Sequence, residues 1–378
     1  MAIENINGIA DAVTPELQAN LVELPPEAMV EGVTELNDGS AIVGDMEMES
    51  ETPIAIPFDA NLADHIDEDV LSEISSQLTG DIEDDTNSRS DWEEQYKSGL
   101  ELLGMTYEDR SEPFEGASGI VHPLLAESVT QFQAQAYREM LPAGGPVKTT
   151  IIGAETPEVM AQAERVKNYM NYQITYEMEE YDPELDQMLF YLPIVGSAFK
   201  KVYFDPNMQR AVSKFVHSED LIVPYNATDL ATATRITHCI RMDKNEIRKL
   251  QLSGFYKDID LPESGSDSDT MSDVKDTIND IEGITNGSSE NEEMMIYEVH
   301  TNLDIEGFED VGADGEPTGL KMPYIVTIME DSGDVLSIKR NFNESDPLRR
   351  KVPYFVHYKF LPGLGFYGFG LTHTIGGL

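Results

Sequence analysis

Residues Val352–Leu378 read VPYFVHYKFLPGLGFYGFGLTHTIGGL. The first part, Tyr354–Phe360, alternates apolar and polar side chains, the period of a half-buried β-strand. Leu361-Pro362-Gly363 breaks it. Gly363, Gly365, Gly368 and Gly370 then interleave with Phe366, Tyr367 and Phe369. Glycines this dense let the backbone take positive φ and approach neighbouring chain closely. From Leu371 the pattern suits the first turn of a helix. Strand, glycine-aromatic corner and helix start are expected to form a junction between two bodies. The sequence is accordingly read as the front part of a longer protein.

Working back from this corner, the fold class is α+β. Ser90-Asp91-Trp92-Glu93 has the form of a capping box, with Ser90 at the N-cap and Glu93 three residues on. Trp92, Tyr96, Leu100 and Leu103 follow on one helical face, and Gly104 suits the C′ position. Pro123 opens a second helix with Leu124, Val129, Phe132, Ala136 and Met140 on its buried side. Pro142, Gly144, Gly145 and Pro146 close it, and Val147–Ile152 is expected as a strand. Thr156-Pro157 starts a third helix, with Val159, Ala163, Val166, Met170 and Ile174 as its stripe. Tyr169, Tyr172, Tyr176 and Tyr181 suit either internal packing or an inter-subunit surface. A further helix runs from Asp182-Pro183 to just before Pro193. Strands are expected at Ser197–Phe204 and Arg210–Val216 (a hairpin), Arg235–Met242, Ile296–Thr301, Tyr324–Glu330 and Val335–Asn341, with a short helix capped by Asp243 and Glu246 ending at Leu252.

Charge sets limits on function. The chain has 71 Asp and Glu against 25 Lys and Arg, a formal charge of −46. A protein that grips nucleic acid through phosphates needs clustered cations, and this composition opposes it. Residues 1–89 hold 22 acids and one base, Arg89, with Phe58 the only aromatic besides His65. Such a segment is expected to be an acidic disordered arm, with a short helix allowed at Ala63–Leu78. Residues 258–293 hold twelve acids and one base, Lys275, and are expected to be a flexible insertion. Residues 90–257 and 294–370 then form the helical-and-hairpin part and the β-rich part of one body, and 371–378 begin a further helix.

Chemistry-bearing motifs are sparse. Seven histidines are scattered, without HExxH or CxxC spacing. The corner lacks the Lys-Ser/Thr ending of a phosphate loop and does not fit GxGxxG. Ser118 in Gly116–Gly119 misses the nucleophile-elbow pattern, and Asp267/Asp269 lack the rest of a Ca²⁺ loop. The lone Cys239 excludes an intrachain disulfide and suits a small buried residue on a strand. No catalytic, metal or cofactor residue is assigned. Arg349, Arg350 and Lys351 form the only basic cluster and are candidates for a phosphate or subunit contact, or for a solvated rim. The start, MAIENINGIADAV, has no signal-peptide pattern, and no run of about 20 apolar residues suits a membrane span.

Three blocks, WEEQYKSGLELLGM (92–105), SEPFEGASGIVHPLLAESVTQFQAQAYREMLP (111–142) and FVHYKFLPGLGFYGFGLTHTIGGL (355–378), resemble the portal proteins of tailed phages, and most of all the large type of short-tailed phages. The resemblance spans roughly Ser90 to Leu378, apart from the acidic insertion. It implies a wing-like domain of helices on antiparallel strands, with Pro362, Gly363, Gly365, Gly368 and Gly370 as a structural junction and the channel helices beyond Leu378. It implies a ring of copies, usually twelve, at one capsid vertex. Implied partners are the major capsid protein, the terminase large subunit, tail adaptor and scaffold proteins. Double-stranded DNA would pass through without sequence-specific binding. The setting would be the virion, and the host cytoplasm during assembly. Two other classes stay open: an acidic metal-dependent hydrolase such as a nuclease, and another virion structural or adaptor protein. Divalent-metal-dependent nuclease activity would separate the first from the ring.

Overall fold

The structure is a computed structural model. It describes residues 33–35, 41–43, 56–101, 103, 114, 123–206, 208–262, 293–312 and 316–375. The chain divides into two units, Met1–Ile56 and Pro57–Leu378. In the first, β1 (Val33–Glu35) pairs antiparallel with β2 (Ala41–Val43). Everything that follows concerns the second.

Helix α5 (Tyr181–Val195) lies at the centre of the larger core. From Leu185 onward it is apolar nearly all round, as a fully enclosed helix must be, and Met188, Leu189 and Val195 are buried. The helix runs through Pro193 rather than ending before it. Proline offers no N–H to the Leu189 carbonyl, and the helix ends soon after it, at Val195. Gly196 then caps the helix at φ 91°, and its N–H donates to the Leu192 carbonyl at 2.8 Å.

The chain turns directly into β3 (Ser197–Asp205), which hairpins to β4 (Arg210–Val216). The other edge of β3 pairs with β10 (Phe355–Lys359), giving an antiparallel sheet in the order β10-β3-β4. A second antiparallel sheet runs β5-β6-β7-β8-β9: Leu221–Ile222, Arg235–Asp243, Glu293–Leu303, Met322–Met329 and Val335–Arg340. The expected strands are all present within a few residues, except Val147–Ile152. That segment makes no ladder; it runs beside α4 (Pro157–Tyr172), held by Val147 N–H to Asn171 Oδ1 at 2.9 Å. The two-residue β5 is too short to leave a sequence period.

Order in this unit begins well before Ser90, contrary to the expected arm over 1–89. Helix α1 (Glu68–Ser88) buries Leu71, Ser75, Leu78, Ile82 and Asp85, a stripe at helical spacing. Its carboxylates find cations: Arg235 binds Asp85 through Nε at 3.0 Å and Asp81 through Nη1 at 2.9 Å. Just before it, Asn61 completes the edge of β9, accepting from Ile338 N–H at 3.0 Å and donating to Leu336 O at 3.1 Å. The side-chain amide stands in for a further strand and covers a sheet edge. The expected arm over 1–55 lies outside the described residues, the β1–β2 pair apart.

Helix α2 (Ser90–Glu101) follows after one non-helical residue, Arg89. Ser90 is therefore the first helical residue and not the cap, and Glu93 faces Arg89 instead, at 2.7 Å. Trp92, Tyr96, Leu100 and Leu103 are buried together as their spacing predicts, while Gly104 lies outside the described residues. In α3 (Leu124–Met140) Val129, Phe132 and Ala136 face the core as expected, whereas Leu124 and Met140 are exposed and Leu125 is buried in place of Leu124. α6 (Lys244–Leu252) packs Ile247 into a second core with Met294, Ile296, Met329 and Leu336. Ile259 and Leu261 join that core, so the first residues of the expected insertion are packed. Residues 263–292 lie outside the described residues. Cys239 is buried on β6, as its isolation suggested.

Candidate functional site

The glycine-aromatic corner is the most tightly constrained part of the fold. After β10 the chain forms an isolated bridge, Leu361 to Phe369, and enters α7 (Leu371–Ile375). Gly363, Gly365, Gly368 and Gly370 do not use positive φ, contrary to expectation. They are needed for proximity. A Cβ on Gly368 would overlap the Gly196 carbonyl, and one on Gly370 would overlap the Ile194 carbonyl. One on Gly365 would strike the Tyr225 ring. The corner is thus laid backbone to backbone across the end of α5. Pro362 precedes this crossing and lies on the exposed side.

Aromatic rings and buried polar groups fill the space behind the corner. Trp92 stacks on Tyr367 with centroids 4.6 Å apart, and its Nε1–H donates to the Gly368 carbonyl at 3.2 Å. Arg89, 2% exposed, donates to the carbonyls of Ser218, Glu219 and Leu221 and to Tyr367 Oη, all within 3.1 Å. Tyr96 and Tyr191 both donate to the carboxylate of buried Glu219. Burial, and then that nearby carboxylate, push both phenols well above their ordinary range. These groups are enclosed and bonded to one another, with Arg89 Nε facing the Glu93 carboxylate at 2.7 Å. Their chemistry is structural, a set of hydrogen bonds that fixes α2, the 218–221 turn and the corner in one arrangement.

The basic cluster does not converge on one ligand. Arg349, at φ 47°, reaches Asp310 at 3.8 Å and lies over the Phe342 ring. Lys351 turns inward to the carbonyls of Leu230 and Ala233. Arg350 alone extends outward, 75% exposed, with Nε on Asp346 at 2.8 Å.

Three further titratable groupings bear on chemistry. Between the sheets, Lys201 Nζ holds Glu298 at 2.6 Å, and Glu298 holds His300 at 2.9 Å. Burial depresses both His300 and the neighbouring His238, the latter to about 4, with the Lys201 charge adding to the effect on His238. Second, Ser197 Oγ lies 3.0 Å from His357 Nε2, superficially a hydroxyl beside a base. Ser197 is fully buried, its Oγ accepts the Gly368 N–H, and the imidazole is stacked on Phe199 and Phe366. That geometry orients the corner and offers no approach for a substrate. Third, Lys200 is buried with Nζ 4.2 Å above the Tyr181 ring, and burial pushes it down to about 8. Among the described residues no three metal-binding side chains converge, and no helix is long and apolar enough to cross a membrane.

The feature that sequence left undecided is the tyrosine-rich helix. Thr156 caps α4 as expected, accepting from Val159 N–H at 3.3 Å, with Pro157 at N1. Yet α4 has no buried residue. Val159, Met160, Val166, Tyr169, Met170 and Tyr172 are all exposed. A helix of this length is marginal in water without tertiary packing, and among the described residues none buries its apolar stripe. Beyond α4 a π-helical turn, Gln173–Glu177, leads to α5. A cleft of about 490 Å³ opens there, lined in part by Tyr137, Tyr172, Tyr176, Tyr181 and Asp182.

No protein-family model matches the chain, and no curated protein matches it.

Proposed function

We propose that this chain is the wing-like body of a portal subunit: a structural, ring-forming protein at one capsid vertex, without enzymatic activity. The observation that carries this reading is the meeting of the resemblance blocks. Described residues of the first and third, Trp92 and Tyr367-Gly368, stack and hydrogen bond, while Leu125 and Val129 of the second enter the same core. Order of blocks in a sequence and joint packing in space are separate facts, and they agree. The open face of α4 fits a chain that works beside copies of itself, since obligate neighbours cover apolar surface that a monomer leaves in water. The charge of −46 suits a conduit past which a polyanion slides without being held. In this reading the ring meets the major capsid protein, scaffold, the packaging motor and the tail adaptor, and lies in the host cytoplasm before it lies in the virion.

Antibody raised against the chain tests the reading on capsids from cells that produce it. One labelled vertex per capsid is expected. Label at every vertex, or none on intact capsids, would overturn it.

A further inference from the structure

Two features of this chain have opposite shape, and each presents a side chain of the charge opposite to the other's. One is the cleft between the end of α4 and the start of α5. Tyr137, Tyr172, Tyr176 and Tyr181 line it, and Tyr172 and Tyr176 stack at 5.7 Å while both are exposed. Asp182 is the only charged group among the described lining residues. Its Oδ1 accepts from Tyr137 Oη at 2.5 Å, and Oδ2 has no hydrogen-bond partner among the described residues. Aromatic faces beside a carboxylate suit a guanidinium, which stacks on rings and pairs with oxygen in one plane.

The other feature is the turn over 346–350. It projects two exposed side chains, Leu348 at 71% and Arg350 with its side chain at 75%. Asp346 holds the turn rigid: Oδ1 accepts from Leu348 N–H at 3.1 Å and Oδ2 from Arg350 N–H at 3.2 Å. A knob already fixed in shape loses little entropy when it docks. The Arg350 side chain leans on Asp346 at the surface, where such a pair is weak and readily exchanged.

We propose that the Leu348–Arg350 turn of one copy of this chain seats in the Tyr172/Tyr176/Asp182 cleft of a second copy. The inference rests on the ring-forming reading and specifies which surfaces meet. With 71 acids against 25 bases, copies repel one another over most of their surface. A self-contact is therefore favoured where a cation can meet an acidic site, and Arg350 is the member of the 349–351 run that extends outward. The two surfaces are different patches on one chain, so the contact is head-to-tail, the kind that generates rings.

Cross-linking between separately made chains tests this. The Tyr176→Cys and Leu348→Cys chains, mixed at micromolar concentration and oxidised, should give mixed disulfide dimers. The control pairs Tyr176→Cys with Leu252→Cys, since Leu252 is 77% exposed on another helix. The expected excess over control is at least tenfold. Asp182→Arg in the first chain should remove that excess, and Arg350→Asp in the second should restore it; Trp92 fluorescence establishes that each variant is folded. Yields equal to control, or a predominance of 176–176 dimers, would overturn the contact. Binding of the cleft to an unrelated basic protein in preference to a second copy would overturn it too. A single labelled vertex without the 176–348 cross-link would keep the functional reading and discard this contact; the cross-link without vertex labelling would do the reverse.

Discussion

Trp92 reaches the far end of the described chain: its indole N–H donates to the carbonyl of Gly368 at 3.2 Å while its ring lies flat on Tyr367. One side chain therefore ties the start of α2 to the glycine corner. Trp92→Ala should destabilise the unit by about 3–5 kcal/mol, the usual cost of removing a large buried aromatic. Trp92→Phe should lose less, about 1–2 kcal/mol, because the ring stays and one hydrogen bond goes. Urea denaturation followed by circular dichroism measures both; equal losses would mean that the hydrogen bond matters more than the ring.

Glycine at the corner is required for clearance, and substitutions separate clearance from flexibility. Gly370→Ala drives a methyl group into the Ile194 carbonyl and should cost at least about 2–3 kcal/mol, since backbone cannot move aside as a side chain can. Gly80→Ala is the counter-test: nothing lies within 4 Å of a Cβ there, and Gly80 is in the middle of α1. That change should stabilise by about 0.5–1 kcal/mol. Thermal melts that move in the same direction for both would refute this account.

Arg89 joins the acidic N-terminal helix to the core through four hydrogen bonds to buried acceptors. Arg89→Met should cost about 3–5 kcal/mol, because several carbonyls and Glu93 lose their partner together. In the native chain, limited proteolysis should leave a product that retains Glu68–Ser88. A stable product starting at Ser90 would show that α1 is dispensable.

Acid should weaken the seam between the two sheets. His238 is faced by Lys201 from β3, by Glu298 and His300 from β7, and by Asp220. Its folded value, about 4, lies below its ordinary 6.5, so the unfolded chain takes up the proton first. The stability it contributes is complete above pH 6.5 and is lost as the pH falls toward 4, by up to about 3 kcal/mol. His238→Gln should flatten the stability profile between pH 6.5 and 5, where carboxylates are still ionised. An unchanged slope in that window would falsify the assignment.

Lys200 predicts a change of the same sign in a more alkaline window. Burial lowers it to about 8, so the unfolded chain holds the proton more tightly and stability should rise from pH 8 toward 9.5. Lys200→Met should raise stability at pH 7 by about 1–3 kcal/mol and abolish that rise. Destabilisation by methionine would show that the ammonium over the Tyr181 ring is worth more than its desolvation.

Much of this architecture was legible in the sequence because it is local. Alternation marked β3, β4 and β6 to β10. Thr156-Pro157 marked the start of α4, and the stripe of Trp92, Tyr96, Leu100 and Leu103 marked the buried face of α2. These signals need only the period of the backbone and the chemistry of a cap. Three features were settled by tertiary structure. The acidity of 57–89 suggested no more than a short helix over Ala63–Leu78, whereas α1 runs from Glu68 to Ser88 and packs, because Asp81 and Asp85 are neutralised by Arg235, far away in sequence. The run Arg349-Arg350-Lys351 looked like one basic site, but a turn at positive φ sends its members to three different partners. The stripe on α4 has the same period as a buried one, and periodicity states which face is apolar without stating what covers it. The corner glycines show the same division. Their density foretold a special backbone, but only the crossing of Gly368 and Gly370 over Ile194 and Gly196 shows that they are there to leave room for another stretch of main chain.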